Sequence, residues 1–298
     1  MKKSLKIILV IFLVLLTFIL ISTFWVADLR TPEIKNNTQT EAQITHAKTL
    51  LKNAIKKQGM DKISDYTTYT MEATDHWAGM LGKIGNPYRW NGDKMALRFS
   101  VGDFDGQIEV LEGNQKGFKA GIQSWDYYES TDNAFNTNVT DNAGLTFITA
   151  ALHYFIEIGN RLDTAPFIRY AGTAELKGKQ IEKVFVSWGN AATKDYDQYV
   201  VWVGKESGLI EALTFTTRDN YKPTPAFMYG SLHFDDYRNI DGILIPFKQT
   251  AQIGEPSNDI TNYVHQLLIS DFKWNSFPLE DLRPFKNIPS IGNDKPKK

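Results

Sequence analysis

Residues 234–248 read FDDYRNIDGILIPFK, and this stretch decides the fold. Asp241-Gly242 is a dipeptide that suits the two-residue turn joining antiparallel neighbours. Beyond it, Ile243, Ile245 and Phe247 share a face that continues through Ala251 and Ile253, with Gln249 interrupting. Before it, Leu232 and Phe234 point opposite to His233 and Asp235. A period of two marks strands with one face buried. Pro246 is tolerated on an edge or bulged strand.

The same signals recur outward from this hairpin. Met95, Leu97, Phe99 and Val101 alternate with Ala96, Arg98 and Ser100. Asn91-Gly92, Gly113-Asn114, Lys177-Gly178 and Ser207-Gly208 each separate two strand-like segments. The intervals are too short for helical crossovers, so the order is a meander. Two helices interrupt it. Thr40 and Gln43 form a capping-box pattern ahead of the stripe Ala47, Leu50, Leu51, Ala54 and Ile55, with Gly59 placed to end it. Asp141-Asn142 precedes Leu145, Ile148, Leu152, Phe155 and Ile156, with Gly159 as the stop. The predicted order is helix, about five strands, helix, about six strands. The predicted fold class is mainly β (α+β): a curved antiparallel open half-barrel of about 11 strands, two helices covering or plugging its concave face, plus one N-terminal transmembrane helix. A twisted sheet of that width curls, and something must fill its hollow.

That order resembles the outer-membrane lipoprotein-sorting carrier superfamily, and in particular its exported bacterial members. The segment Tyr199–Leu213, YVVWVGKESGLIEAL, looks like their strand, turn and strand, and Phe234–Lys248 looks like their characteristic hairpin. The resemblance spans roughly Thr40 to Asn275. It implies an open half-barrel plugged by helices and a carrier for lipoprotein acyl chains. The known carriers are soluble or held by a lipid on an N-terminal cysteine, and this chain has no cysteine.

The N-terminus departs from that pattern. Residues 7–27 read IILVIFLVLLTFILISTFWVA, without a charge. Such a run spans a hydrocarbon core roughly 30 Å thick. Lys2, Lys3 and Lys6 precede it, which favours a cytoplasmic N-terminus. A cleaved signal peptide has a shorter apolar region, and Trp25 lies badly for cleavage after Ala27. The predicted organisation is a basic N-terminus at 1–6, an anchor at 7–27, a linker at 28–39, an exported domain at 40–277 and a Pro/Lys-rich tail at 278–298. The predicted location is the bacterial inner membrane, single-pass, with the C-terminal domain periplasmic.

Composition narrows the chemistry. With 33 basic and 34 acidic residues no basic field exists for nucleic acid. Absence of cysteine excludes disulfides, thiolate metal sites and a cysteine nucleophile. His233 and Asp235 share a strand face, yet His153, His265 and Asp271 have no spacing that supplies a third ligand. The expected state of that pair is a solvent-facing strand salt-bridged to Arg218 or Arg238. Gly102–Gly106, GDFDG, reads as a turn rather than a calcium loop, because Asn114 stands where the bidentate Glu belongs. No nucleophile-elbow, phosphate-loop or zinc-helix motif occurs. No catalytic residue, metal or cofactor is predicted.

Aromatic residues are the functional lead, at 13% of the chain. Trp90, Leu97, Phe99, Trp125, Tyr127, Trp188, Trp202, Phe215 and Phe234 are the candidate lining of an apolar ligand site. Arg98, opposite Phe99, is expected to pair with an acid on the outer face. The predicted function is a membrane-anchored, non-catalytic binding protein for a lipid or lipoprotein acyl chain. Its predicted partners are membrane lipid through residues 7–27, that acyl chain and an envelope protein. The alternatives are a structural or partner-binding module of a cell-envelope complex, and an envelope hydrolase.

Overall fold

A computed structural model describes residues 26–288 apart from 132, 133, 194, 219, 220 and 223, together with 6, 7, 9, 10, 12–14 and 17. Most of the expected anchor and the tail beyond residue 288 lie outside the described residues. Among the described residues, no helix is long and apolar enough to cross a membrane.

The chain opens with α1 (Pro32–Lys35) and α2 (Glu41–Gln58), then β1 (Thr68–Trp77) and the short α3 (Gly79–Gly85). Five more strands follow: β2 (Lys94–Ser100), β3 (Gly106–Val110), β4 (Lys119–Gln123), β5 (Asp126–Thr131) and β6 (Ala134–Asn136). Helices α4 (Ala143–Ile156) and α5 (Ile158–Asp163) lead into β7 (Phe167–Leu176), β8 (Lys179–Ser187), β9 (Gln198–Gly204) and β10 (Ile210–Thr216). The last strands are β11 (Tyr229–Ile240), β12 (Ile243–Ile253) and β13 (His265–Trp274).

All thirteen strands form one open antiparallel sheet in the order β6-β5-β4-β3-β2-β1-β13-β12-β11-β10-β9-β8-β7. Two meanders therefore meet where β1 pairs with β13, Tyr69 opposite Trp274 and Trp77 opposite His265. At about 4.8 Å per strand a flat sheet of this width would stretch nearly 60 Å. Instead, residues from every strand but β6 join one apolar cluster with α2, α4 and α5, so the sheet curls around its helices.

The meander and its turns match the sequence expectation, but the strand count is thirteen, not about eleven. β6 has three residues, all exposed, and offers no alternation to read. β7 slips register between Tyr170 and Thr173, around Gly172 at φ +88°, which breaks its period. The hairpin of residues 234–248 forms as read: Ile240 faces Ile243, and Asp241 and Gly242 take φ of 53° and 91°. Pro246 is tolerated because β12 pairs with β13 only over Lys248–Ala251, and Pro246 lies beyond that stretch.

Helix α2 matches its predicted caps, with a Thr40–Gln43 capping box and Gly59 left-handed at its end. Gly59 is required twice over, because a Cβ there would run into the Gly242 carbonyl oxygen. The second helix corrects the reading of Gly159. The chain breaks at Glu157 and turns directly into α5, and Gly159 sits inside α5. Its missing side chain makes room for Ile55, whose Cγ1 would lie 3.3 Å from a Cβ. Helix α3 was not foreseen.

Both ends of the described domain wrap onto the outer face. Leu29 N–H donates to Gln198 Oε1 at 2.7 Å, and Ile34 of α1 is buried against the outer side of β7–β10. The chain then rounds the β7 edge, where the Gln39 amide donates to the Tyr170 carbonyl, and enters the inner face as α2. At the other end, residues 276–288 cross the outer side of the first meander. Leu282 is fully buried there, and Phe285 exchanges two hydrogen bonds with Gln123. Arg98 sits 4.0 Å from Asp281 and over the Phe277 ring, the outer-face pairing expected of it.

Candidate functional site

The inner face of the first meander is lined by Tyr69 and Met71 of β1 and by Met95, Leu97 and Phe99 of β2, all at 0% exposure. Helix α4 packs across this inner face, closest to β3 and β4, and reaches Phe99 through His153. Asn142 caps it by accepting from the Leu145 N–H at 3.2 Å, and Thr146 donates to Asp141 at 3.0 Å. Leu145, Ile148, Leu152 and Ile156 are buried, while Phe147, Tyr154 and Phe155 cover the other side of the same helix. A helix apolar all round belongs inside a protein. Here it is the plug of the half-barrel.

The plug is fastened at its C-terminal end by charge. Glu157, 0% exposed, meets His153 Nε2 at 2.8 Å and Arg161 Nη2 at 2.9 Å. It also accepts the Gly102 N–H at 3.1 Å. The His153 ring stacks on Phe99 with centroids 5.1 Å apart, and the Arg161 guanidinium lies 4.6 Å from the Phe104 centroid. Arg161 also donates to the Asp103 carbonyl. Arg283, from the C-terminal segment, closes the β2–β3 turn through Asp103 at 2.9 Å and Asp105 at 2.7 Å. Sequence reading missed this network. Its signal is present, since His153, Glu157 and Arg161 recur every four residues across the end of α4 and the start of α5.

Burial would raise the Glu157 carboxyl, but His153 and Arg161 outweigh it and hold it below its ordinary value. Burial pushes the His153 imidazole below 6.5, more than Glu157 raises it. A histidine and a carboxyl that are both lowered on folding bind fewer protons in the native state than in the unfolded one. Their stabilisation is present above the unfolded values and is lost as pH falls through the folded ones. Thermal unfolding should therefore move to lower temperature as pH drops below about 6.5. His153→Gln should flatten that slope between pH 7 and pH 5. His233, lowered by burial and Lys177, keeps a residual slope of the same sign.

Of the predicted lining, Leu97, Phe99 and Phe234 lie in the central core, and Phe215 packs 5.0 Å from Phe155. Trp90 stacks on Tyr88 at 4.9 Å and donates to Met95 Sδ, and Tyr127 is buried with its hydroxyl on Glu129. Trp125, in the β4–β5 turn, contacts Phe104 at 4.9 Å, and Trp188 is half-buried beside Tyr199. Trp202 points the other way. It shares the outer face with Phe185 and Ala212, donates to Thr214 Oγ1 at 3.0 Å and lies under Lys183. Its strand is buried on both faces, so alternation could not assign the side. With residues 27–32, Trp202 bounds an outer cavity of about 320 Å³.

His233 and Asp235 also depart from expectation. His233 is fully buried with Nε2 2.9 Å from Gln252 Oε1, and Asp235 pairs with Lys177 at 2.9 Å, not with Arg218 or Arg238. Among the described residues no group of three His, Asp or Glu side chains converges as metal ligands.

No protein-family model matches the sequence, and no curated relative does. Solved structures similar to it include a LolA superfamily protein from Nitrosomonas europaea, at 11% identity and a TM-score of 0.45, covering 80% of this chain and 97% of that one. A DUF1329 family protein from Desulfovibrio piger aligns at 12% identity and 0.41, covering 80% and 99%. The lipoprotein LppX of Mycobacterium tuberculosis aligns at 10% and 0.26, covering 77% and 97%.

Proposed function

We propose that this chain is an inner-membrane-anchored, extracytoplasmic domain that holds one apolar chain of a lipid or lipoprotein under helix α4, without catalysis. The supporting observation is the plug itself. The inner face of the first meander, closest at β3 and β4, is covered by a helix with apolar side chains all round, and strands alone do not close it. An acyl chain replacing α4 on that lining gains roughly 0.8 kcal/mol per buried CH₂.

The fastening sets the direction of movement. The C-terminal end of α4 is pinned by Glu157, and the break at Glu157 is the pivot. Its N-terminal end borders loops: Pro87 lies under Gly144, and the Phe147 and Tyr221 ring centroids are 5.5 Å apart. Swinging that end outward opens the half-barrel at the rim that carries residues 78–93 and Tyr221.

A disulfide lock tests this in a chain without cysteines. A Cβ on Gly144 would stand 3.3 Å from Pro87 Cβ, close to disulfide reach. Delipidated residues 28–298 should take up a fluorescent fatty acid saturably. Pro87→Cys with Gly144→Cys should lose uptake when oxidised and regain it when reduced. Uptake indifferent to the lock would refute the swing, and absence of saturable uptake would refute the ligand. The filled interior favours a second reading, a partner-binding module of an envelope complex, and absent uptake would leave that one standing.

A further inference from the structure

One rim of the domain carries a solvent-facing apolar surface with a defined position relative to Ala27. It is helix α3, GMLGKIG, between β1 and β2. Gly82 faces inward and rides directly on the Val264 carbonyl, where no Cβ would fit. The helix thus lies flat on the rim and turns its large side chains out. Met80 is 73% exposed, Leu81 47% and Ile84 58%. Single exposed apolar residues are ordinary, but three within one short helix form a patch that marks an interaction surface.

The loop between β10 and β11 says what lies opposite. Its Tyr221 hydroxyl donates to the Gly85 carbonyl at 2.6 Å, and Lys222 Nζ donates to the Ile84 carbonyl. The same loop holds Ala27, the last residue of the apolar run: Ala27 N–H donates to the Ala226 carbonyl and Arg218 donates to the Ala27 carbonyl, both at 2.8 Å. From Lys222 to Ala226 the backbone reaches at most ~14 Å. The point where the apolar run joins the domain and the exposed helix are therefore on one rim, at the same end of the strands.

We infer that α3 is a second membrane contact, with Met80, Leu81 and Ile84 inserted into the interfacial layer of the bilayer that holds residues 7–27. The inference rests on the anchored reading above. Lys83 on the helix and Lys222 at its end place positive charge at headgroup depth, suited to anionic lipid. Docking on this rim also brings the N-terminal end of α4 to the bilayer, because Tyr221 touches both Gly85 and Phe147. An apolar chain would then pass between membrane and half-barrel without crossing water.

The test uses the full chain in phosphatidylglycerol-containing vesicles, with Leu81→Cys carrying an environment-sensitive fluorophore. Glu206→Cys, exposed in the β9–β10 turn at the opposite end of the strands, is the reference. The Leu81 probe should emit at shorter wavelength than the Glu206 probe and be quenched by shallow nitroxide lipids. Met80→Ser with Ile84→Ser should abolish that difference while the chain stays membrane-bound. Equal emission from both probes in the anchored chain overturns the docking of α3. Recovery of the chain free of membrane, by contrast, overturns the anchor. Vesicles then added to the free chain still decide α3, because a blue shift at Leu81 supports docking and none refutes it.

Discussion

Arg161→Met should lower the unfolding free energy by about 3–5 kcal/mol, because it leaves the Glu157 carboxylate buried without its cation. Glu157 is 0% exposed, and Arg161 Nη2 is its 2.9 Å partner. His153, the other partner, is itself pushed toward its neutral form by burial and cannot fully replace the guanidinium. Glu157→Met alone should cost a similar amount, since Arg161 then lacks its carboxylate. The double substitution should recover most of the loss, because apolar groups of similar volume suit a site walled by Phe99, Phe104 and Tyr154. Urea denaturation of residues 28–298 reads all three. A single Arg161→Met change that costs under about 1 kcal/mol would mean the pair is not the fastening of α4.

Phe99→Ala should cost about 3–5 kcal/mol by opening a cavity under the plug. The ring is 0% exposed, lies nearly parallel to His153 at 5.1 Å and contacts Tyr69 at 5.4 Å. It also roofs Gly106, where a Cβ would collide with it. Backbone on one side and a charge-pinned helix on the other limit collapse into the void. The same substitution separates the two functional readings. If an apolar chain binds beneath α4, Phe99→Ala should weaken fatty-acid uptake as well as stability. Uptake equal to that of the unaltered chain would remove Phe99 from the lining.

The sequence carried the outline of the fold because its signals are local. Asp241-Gly242 shapes a turn by its own backbone preference, and Thr40, Gln43 and Gly59 end a helix wherever the helix packs. Alternation in Met95–Phe99 names two strand faces and tells which one is apolar. It fails where both faces are buried. Every residue of β9 is buried, so Trp202 read as lining although it faces out beneath the linker. The site was legible in kind but not in arrangement. Aromatic content announced an apolar interior and the two predicted helices were set to plug it, but nothing local said which strands α4 would cover or what would pin it.

What the sequence determined by itself is a meander of strands behind an uncharged apolar run, because hydrophobic period and turn chemistry act within a few residues. Only the tertiary structure decided that His233 is buried, that Asp235 meets Lys177, and that the Gly102 N–H reaches Glu157. It also decided that Met80, Leu81 and Ile84 stand on the rim that holds Ala27. Those outcomes depend on which distant segments the curled sheet brings together. A contact such as Lys177–Asp235 or Gly102–Glu157, across more than fifty residues, is fixed by packing the whole core, and no short stretch of sequence encodes it.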